Sequence, residues 1–319
     1  MPDRPDPSAA QAHEAYRAFE HAGWENAAAR YEAAFAGATR PYVPLLLDAA
    51  GAAPGKALLD VACGTGVCAR EAAARGAVAA GIDFSAAMIE TARRLHRGIA
   101  FHVGDAEALP FADRTFDAVA INFGAHHFPD PAAALREARR VTRAGGRIAF
   151  TDWIAGGALT EADRAMMWKG IAAQSVQSIN QYLALLKATG FAEVRVVNLS
   201  ALWVPILRER LAMYRRMREE ACIGTGIDSQ AEYVAFYEAF VGLVEKGALG
   251  GARFAGVRQP EGWSTDAALL LTKRAGGLSS HAGQWELPGG RILLAYYVNG
   301  IAEHQRYHMG AAIWDAPAP

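Results

Sequence analysis

The chain has 319 residues, 52% of them hydrophobic and 20% charged, enough for one large or two modest domains around an ample core. A formal net charge of −1 gives no electrostatic case for nucleic acid or an anionic membrane surface, and no window approaches the ~18 uninterrupted apolar residues of a membrane-spanning helix. Three cysteines without Cys-x-x-Cys spacing, and a polar, proline-rich stretch at residues 1–7, predict a cytoplasmic protein without a signal peptide or a cysteine zinc site.

In chain order, residues 9–37 read as two alanine-rich helices carrying Tyr16, Phe19, Trp24, Tyr31 and Phe35, a stripe that packs against a core or covers a ligand. Residues 41–51 supply a further helix. A first strand begins near Gly55 and ends in Leu58-Leu59-Asp60-Val61. Further strands are expected at 77–83, 99–105, 116–122, 146–153 and 191–200. Helices separate them at 68–75, 85–96 (N-capped by Ser85), 132–142 and 180–189. This alternation predicts a doubly wound, mostly parallel sheet with helices on both faces. Two amphipathic helices, 203–218 and 230–246, follow the sixth strand, the first expected to be basic on its outer face. Segment 251–258 is expected to close the sheet as a seventh, antiparallel edge strand.

Chemistry gathers at the strand ends. Strand one runs into Asp60-Val61-Ala62-Cys63-Gly64-Thr65-Gly66 and then a helix, an arrangement that holds an adenosine-bearing ligand at the carboxyl end of a parallel strand. Gly64 and Gly66 allow positive φ and close approach of a ligand to the backbone; the Cβ of Ala62 argues against positive φ there. Gly64-x-Gly66-x-x-Ala69, followed by Asp83, also satisfies the dinucleotide fingerprint, so the turn alone leaves NAD as an alternative.

The acid before the turn resembles the first motif of class I S-adenosylmethionine (SAM) dependent methyltransferases. The resemblance continues in order through Gly81-Ile82-Asp83-Phe84-Ser85, Gly104-Asp105-Ala106, Phe116-Asp117-Ala118-Val119 and Ala144-Gly145-Gly146-Arg147. It implies a Rossmann-like fold with SAM as cofactor, and it assigns roles by position. Asp60 orders the turn built from Ala62, Gly64 and Gly66 and faces the cationic amino end of SAM. Asp83 accepts both ribose hydroxyls; Phe84 belongs to the same cofactor-binding set, and Met88 lies against adenine. Asp105 accepts from the adenine amino group while the Ala106 N–H donates to a ring nitrogen. Asn122 meets the methionine amino group, and Tyr31, on a helix that closes over the cofactor, reaches its carboxylate. A dinucleotide dehydrogenase needs neither Asp105-Ala106 nor Asp60.

Methyl transfer from a sulfonium is an in-line displacement that requires no metal. The protein must hold two molecules at about 3–3.5 Å, and a hydroxyl or acidic-carbon acceptor also needs a base. The stretch Asn122-Phe123-Gly124-Ala125-His126-His127-Phe128-Pro129-Asp130-Pro131 lies beside the methyl group in this family. His126 is the first candidate base and His127 the second. The alternative is one imidazole bonded to the loop and the other facing solvent. Cys63 and Cys68 read as small buried hydrophobes rather than nucleophiles. The Phe-, Tyr- and Met-bearing helices within 203–247 are expected to form a lid over an apolar or aromatic small-molecule acceptor.

Residues 1–258 therefore read as one SAM-dependent methyltransferase domain and 259–319 as an appendage. Part of the appendage, Ser280-His281-Ala282-Gly283-Gln284-Trp285-Glu286-Leu287-Pro288-Gly289-Gly290-Arg291, resembles the opening half of a Nudix hydrolase. The catalytic helix is missing, because Tyr296 stands where the first Glu is required and 304–309 carry no carboxylates. The appendage is expected to be a strand pair and short helix, or the last strand of the sheet. His304-x-x-x-His308 is expected on a solvated helix, not at a metal. The apolar run 292–298 suits burial in a homodimer contact. The expected activity is methylation at oxygen, nitrogen or carbon of a small molecule. The alternatives are an NAD-dependent oxidoreductase and a SAM-binding partner protein that does not methylate.

Overall fold

The computed structural model describes residues 7–28, 31, 36–171, 176–216, 230–259, 283–287, 291–298 and 308–315. Helix α1 (Pro7–Ala27) is followed by short helical turns at Ala36–Thr39 and Arg40–Tyr42 and by α2 (Val43–Ala50). Gly51 ends α2 in the left-handed region at φ 71°, as C-terminal glycines commonly do. Next come β1 (Ala57–Val61), α3 (Val67–Ala74), β2 (Val78–Asp83), α4 (Ala86–Leu95) and β3 (Ala100–Val103). After them lie β4 (Phe116–Asn122), α5 (Pro131–Val141) and β5 (Thr142–Ala155). The unit finishes with α6 (Glu161–Ile171), α7 (Ile179–Ala188), β6 (Phe191–Asn198), α8 (Ser200–Arg216), α9 (Gln230–Glu245) and β7 (Leu249–Arg258).

The starts of α4, α5 and α7 are fixed by side-chain caps. Ser85 Oγ accepts from the Met88 N–H at 3.1 Å, and Asp130 accepts from the Ala133 N–H at 3.0 Å with Pro131 in the first turn. Ser178 and Gln181 form a reciprocal capping box on α7.

The seven strands lie in the order β3-β2-β1-β4-β5-β7-β6. β1 to β5 are mutually parallel, and β7 runs antiparallel to both of its neighbours. Successive residues alternate between faces. Leu58, Ala118 and Ala120 pack with Val43, Leu46 and Leu47 of α2, while Leu59, Val119 and Ile121 pack with Leu135 and Ala138 of α5. Both faces are covered, which is why these strands read as mostly apolar runs. The chain reverses direction across the sheet between β1 and β4, so a crevice forms over their carboxyl ends.

Three details differ from expectation. β7 is antiparallel but internal, and β6 forms the edge. Small residues such as Ala252, together with Phe254, fill β7's central place. β6 carries Glu193 and Arg195 and breaks register between Ala192 and Arg195, features that suit a protected edge. Helix α6 lies where the sequence pattern suggested no element; it buries Met167 against α8 and α9. Arg210 on α8 is buried between Tyr214 and Tyr237, so the basic character of that helix is not confined to its outer face.

The chain folds as two units, Met1–Arg258 and Gln259–Pro319. Within the second unit, β8 (Gly283–Leu287), β9 (Arg291–Val298) and β10 (His308–Asp315) make an antiparallel sheet in the order β10-β9-β8. Tyr296 pairs with Gly310 inside this sheet. His308 and Met309 open β10 in place of the expected helix, since extended pairing with β9 claims their backbone; residues 301–307 lie outside the described residues.

Candidate functional site

The β1–α3 turn rises from the middle of the sheet with Ala62 at φ 55°, Gly64 at φ 52° and Gly66 at φ 85°. Positive φ at Ala62 overturns the expectation for that position. An alanine in the left-handed region costs roughly 1 kcal/mol, and Phe123, at the tip of β4, is held at φ 56° as well. The two strained residues meet where β1 and β4 turn out of the sheet. A Cβ on Gly124 would stand 2.8 Å from the Ala62 Cβ, so the two turns are pressed together. Strain of this kind persists where the surroundings over-determine it, commonly at a ligand site.

The three strand-tip acids behave differently. Asp60 is fully buried and accepts from the Ala69 N–H at 2.9 Å, tying the turn to the start of α3. Burial pushes its carboxyl up to about 7, against the Ala69 and Cys68 hydrogen bonds. Asp60 orders the turn as expected and is not among the residues lining the cavity described below. Asp83 accepts from the Gly64 N–H at 2.8 Å and the Ser85 N–H at 3.0 Å. Its carboxyl is held above the ordinary value by burial, although both amides act to lower it. Two accepted bonds leave spare acceptor capacity on this carboxylate. Asp105 accepts from the Glu107 N–H at 2.8 Å and pairs with Arg17 Nε of α1 at 3.2 Å.

The tip of β4 continues into a short 3₁₀ turn, Ala125–His127, whose two imidazoles lie 3.9 Å apart but take different partners. Nδ1 of His126 lies 2.5 Å from Asp152 Oδ1 on β5, and Tyr182 of α7 donates to the other oxygen of that carboxylate. His126 is buried and is not among the cavity residues, which corrects its place as first candidate base. Asp152 and Tyr182 draw it under the sheet tip. His127 does line the cavity, and its Nδ1 is 2.9 Å from Glu20 Oε2 on α1. Asn122 Oδ1 accepts from Thr151 Oγ1 at 2.7 Å, anchoring that side chain between β4 and β5. Burial raises the thiols of Cys63 and Cys68 well above the ordinary value, with Asp60 adding to the effect, so neither is activated as a nucleophile.

These tips surround an open cavity of about 760 Å³, a figure that includes the solvent at its mouth. Tyr31, Ala62, Gly64, Asp83, Phe84, Met88, Asp105, Ala106, Asn122 and His127 all line it. Gly66 does not. It sits beneath, where a Cβ would come within 2.6 Å of the Phe101 ring. Arg17 and Trp24 of α1 also line the cavity and, with Glu20, were not singled out as site residues from sequence. Their spacing of three and four residues places them on one helical face, and polar residues interleaved with an aromatic stripe were the available signal.

Among the described residues, none of those lining the cavity belongs to α8 or α9. Trp203, Phe236, Tyr237 and Phe240 are buried against Trp153 and Phe123, with the Trp153 and Trp203 rings 4.0 Å apart. The late aromatic residues fill a core instead of lining this cavity. Among the described residues no group of three or more His, Cys, Asp or Glu can hold a metal ion, and no helix is long and apolar enough to cross a membrane.

Residues 59–150, from β1 into β5, match the family described as Methyltransferase domain. Over 117 residues the chain is 44% identical to the demethylmenaquinone methyltransferase of Renibacterium salmoninarum, covering 37% of this chain and 49% of that protein. The chain thus spans about half the length of this curated relative. Among solved structures, Haemonchus contortus phosphoethanolamine N-methyltransferase 2 in complex with S-adenosyl-L-methionine superposes with a TM-score of 0.60 at 23% identity. It covers 69% of this chain and 53% of that one. The [4+2]-cyclase SpnF superposes with a TM-score of 0.57 at 24% identity, over 69% of this chain and 81% of that one. The fold is therefore shared between proteins named for different chemistries.

Proposed function

We propose that this protein binds SAM in the strand-tip cavity and transfers its methyl group to a small-molecule acceptor. The observation that carries the proposal is the placement of Asp83, at the end of β2, and Asp105, just past the end of neighbouring β3, both lining one cavity with the strained Ala62–Gly64 turn. The donor set fits the cofactor. Asp83, with spare acceptor capacity, suits a ribose diol, and Asp105 with the Ala106 amide suits an adenine edge. Met88, Phe84 and Ile82 offer apolar contact to the base. Tyr31 and Asn122 remain for the amino-acid end, and Gly64 and Ala62 let it approach the main chain. Bound SAM supplies an electrophilic methyl carried on a sulfonium. The chain's own work is to hold the acceptor in line, exclude water and, where the nucleophile carries a proton, receive it; His127 is the imidazole placed to do so.

The family match ends at residue 150, before α8 begins, so the acceptor is inferred from local chemistry. An apolar or aromatic acceptor fits a cavity bounded by Trp24, Phe123 and Phe128. Demethylmenaquinone, named for the curated relatives, belongs on the test panel beside phenols, amines and carbon acids. Titration calorimetry with SAM, S-adenosylhomocysteine (SAH) and NAD, followed by transfer of labelled methyl to that panel, tests the proposal. Tight binding of NAD in preference to SAM would sink it in favour of the oxidoreductase alternative, which no feature of the site favours. SAM binding without transfer to any acceptor would leave a non-methylating SAM-binding protein. For residues 259–319 we keep the Nudix resemblance as a feature of sequence only, without hydrolysis, and a homodimer contact through β9 as a proposal that sedimentation would check. A cytoplasmic location likewise remains a proposal.

A further inference from the structure

We propose that Glu20 is a positioning residue for the transfer chemistry: from α1 it fixes His127, so that the imidazole presents Nε2 to the cavity and takes the acceptor's proton there. This rests on the methyl-transfer function proposed above.

Glu20 is 1% exposed on a helix whose neighbours Ala18, Phe19 and His21 face solvent. Burying a carboxylate costs several kcal/mol unless partners compensate. Both partners converge on one oxygen: Oε2 accepts from Trp24 Nε1 at 2.9 Å and lies 2.9 Å from His127 Nδ1. Among the described residues Oε1 has no hydrogen-bond partner, and the His127 N–H is not aligned on the carboxylate, so the pair is held by charge and contact. Such bonds in ligand-free sites commonly align only when the site is loaded. With Nδ1 directed at Glu20, Nε2 is the ring nitrogen left for the cavity.

Few charged groups surround His127 among the described residues. Glu20 reaches it from α1, the His126 ring lies 3.9 Å away, Asp152 stands behind His126 on β5, and Asp83 approaches from β2. Asp152 is already engaged by His126, Tyr182 and the Trp153 N–H, which leaves Glu20 as the carboxylate in direct contact. Burial acts to lower the His127 pKa, yet Glu20 holds it above the ordinary value. His127 in turn holds Glu20 below its own despite burial.

In the transfer, the acceptor's bond to hydrogen breaks as its bond to the methyl carbon forms. The proton goes to Nε2, and the electron pair of the broken sulfur–carbon bond stays on sulfur. Bound SAM would bring a cation into the cavity that His127 lines and so would favour neutral imidazole before the step, while Glu20 favours imidazolium after it. Because Glu20 belongs to α1, which also docks through Arg17 on Asp105 and Glu107 and through Glu25 on the Ala87 N–H, the base is complete only with that helix in place.

The test is an NMR titration of the histidine Cε1–H resonances in the full chain, with His127 assigned by its loss in His127→Gln. It is run free, with SAH, and with SAM. Glu20→Gln should lower the proton affinity of His127 at least about tenfold, and Glu20→Asp should restore part of it. SAM should depress that affinity more than neutral-sulfur SAH does. In methyl transfer, Glu20→Gln should move the acid limb of kcat/KM to lower pH, while SAM affinity should match wild type at a pH where His127 is neutral in both proteins. Identical His127 titration in wild type and Glu20→Gln, or an identical response to SAM and SAH, overturns the proposal. If Glu20→Gln does not fold, the SAM–SAH contrast in the wild-type chain decides by itself. Failure of both ligands to bind would defeat the methyltransferase proposal separately, while the unliganded titration still reads the Glu20–His127 coupling.

Discussion

Helix α1 and the pair α8–α9 are both rich in aromatic side chains, yet they use them in opposite ways. In α8–α9 the rings are spent on other rings of the core: Trp203 stacks on Tyr42 at 4.6 Å and Phe240 meets Trp153 at 4.9 Å. In α1 the aromatic Trp24 lines the cavity, and buried or half-buried charges accompany it: Arg17, Glu20 and Glu25 each bond a strand tip or a helix start. Aromatic composition alone does not separate a packed core from a binding wall. What separates them is where the buried charges reach: those of α1 meet a strand tip or a helix start beside the cavity, whereas Arg210 of α8 is met by Tyr214 and Tyr237 within the helix pair.

The largest expected effect tests the packed side. Trp203→Ala removes a ring with no exposed surface and should lower unfolding free energy by about 3–5 kcal/mol, read by denaturant melts, with SAH affinity in the folded protein little changed. If SAH affinity collapsed while stability held, α8 would be a binding element and the contrast with α1 would fail. On the cavity side, Asp83→Ala should weaken SAM binding by about 100-fold, the scale of losing charge-assisted bonds near 1.5–3 kcal/mol. Asp83→Asn, which keeps one acceptor for the Gly64 or Ser85 amide, separates lost ligand contacts from a loosened turn. Asp105→Ala should cost about tenfold, since Asp105 is already shared with Arg17 and is more open to water.

Smaller again is the pH dependence of α1 docking. Glu20 has its pKa lowered in the fold, so its stabilisation is present above its ordinary value of 4.5 and is lost as pH falls through the lower folded value. His127 has its pKa raised, so its stabilisation is complete below 6.5 and is lost as pH rises through the higher folded value. Docking should therefore be firmest between those two ordinary values. The melting midpoint of wild type should rise toward that window, and that of Glu20→Gln/His127→Gln should be flatter. Equal pH profiles would show that the pair carries no charge coupling.

What was legible in the sequence follows from how local each cause is. The central strands β1 and β4 announced themselves because a parallel sheet covered on both faces demands mostly apolar runs. Ser85 announced its helix because a cap acts within three residues. The acids at the tips were visible for the same reason, each ending its own strand. The lateral place of β7 was not visible, since strand order depends on partners a hundred residues away. Nor was the division of labour between His126 and His127. They are adjacent on one turn, and what separates them is Asp152 on β5 and Glu20 on α1. The aromatic residues of α9 suggested a lined pocket because their spacing is the same whether a ring meets a ligand or Trp153.

Ala62 gives the smallest effect and isolates the strand-tip turn from everything above it. Its φ of 55° costs roughly 1 kcal/mol in an L-residue, so Ala62→Gly relieves strain in the fold. The same change frees the unfolded chain and costs about 0.5–1 kcal/mol in the other direction. The net change in stability should therefore stay within about 1 kcal/mol. Gly124→Ala places a Cβ 2.8 Å from the Ala62 Cβ and should destabilise by about 1–3 kcal/mol. Combining the two removes the clashing atom, so the double variant should recover part of that loss, a positive coupling in a double-mutant cycle. Additive effects would mean that the β1 and β4 turns do not press on each other, and that the left-handed Ala62 is held by the β1–α3 turn alone.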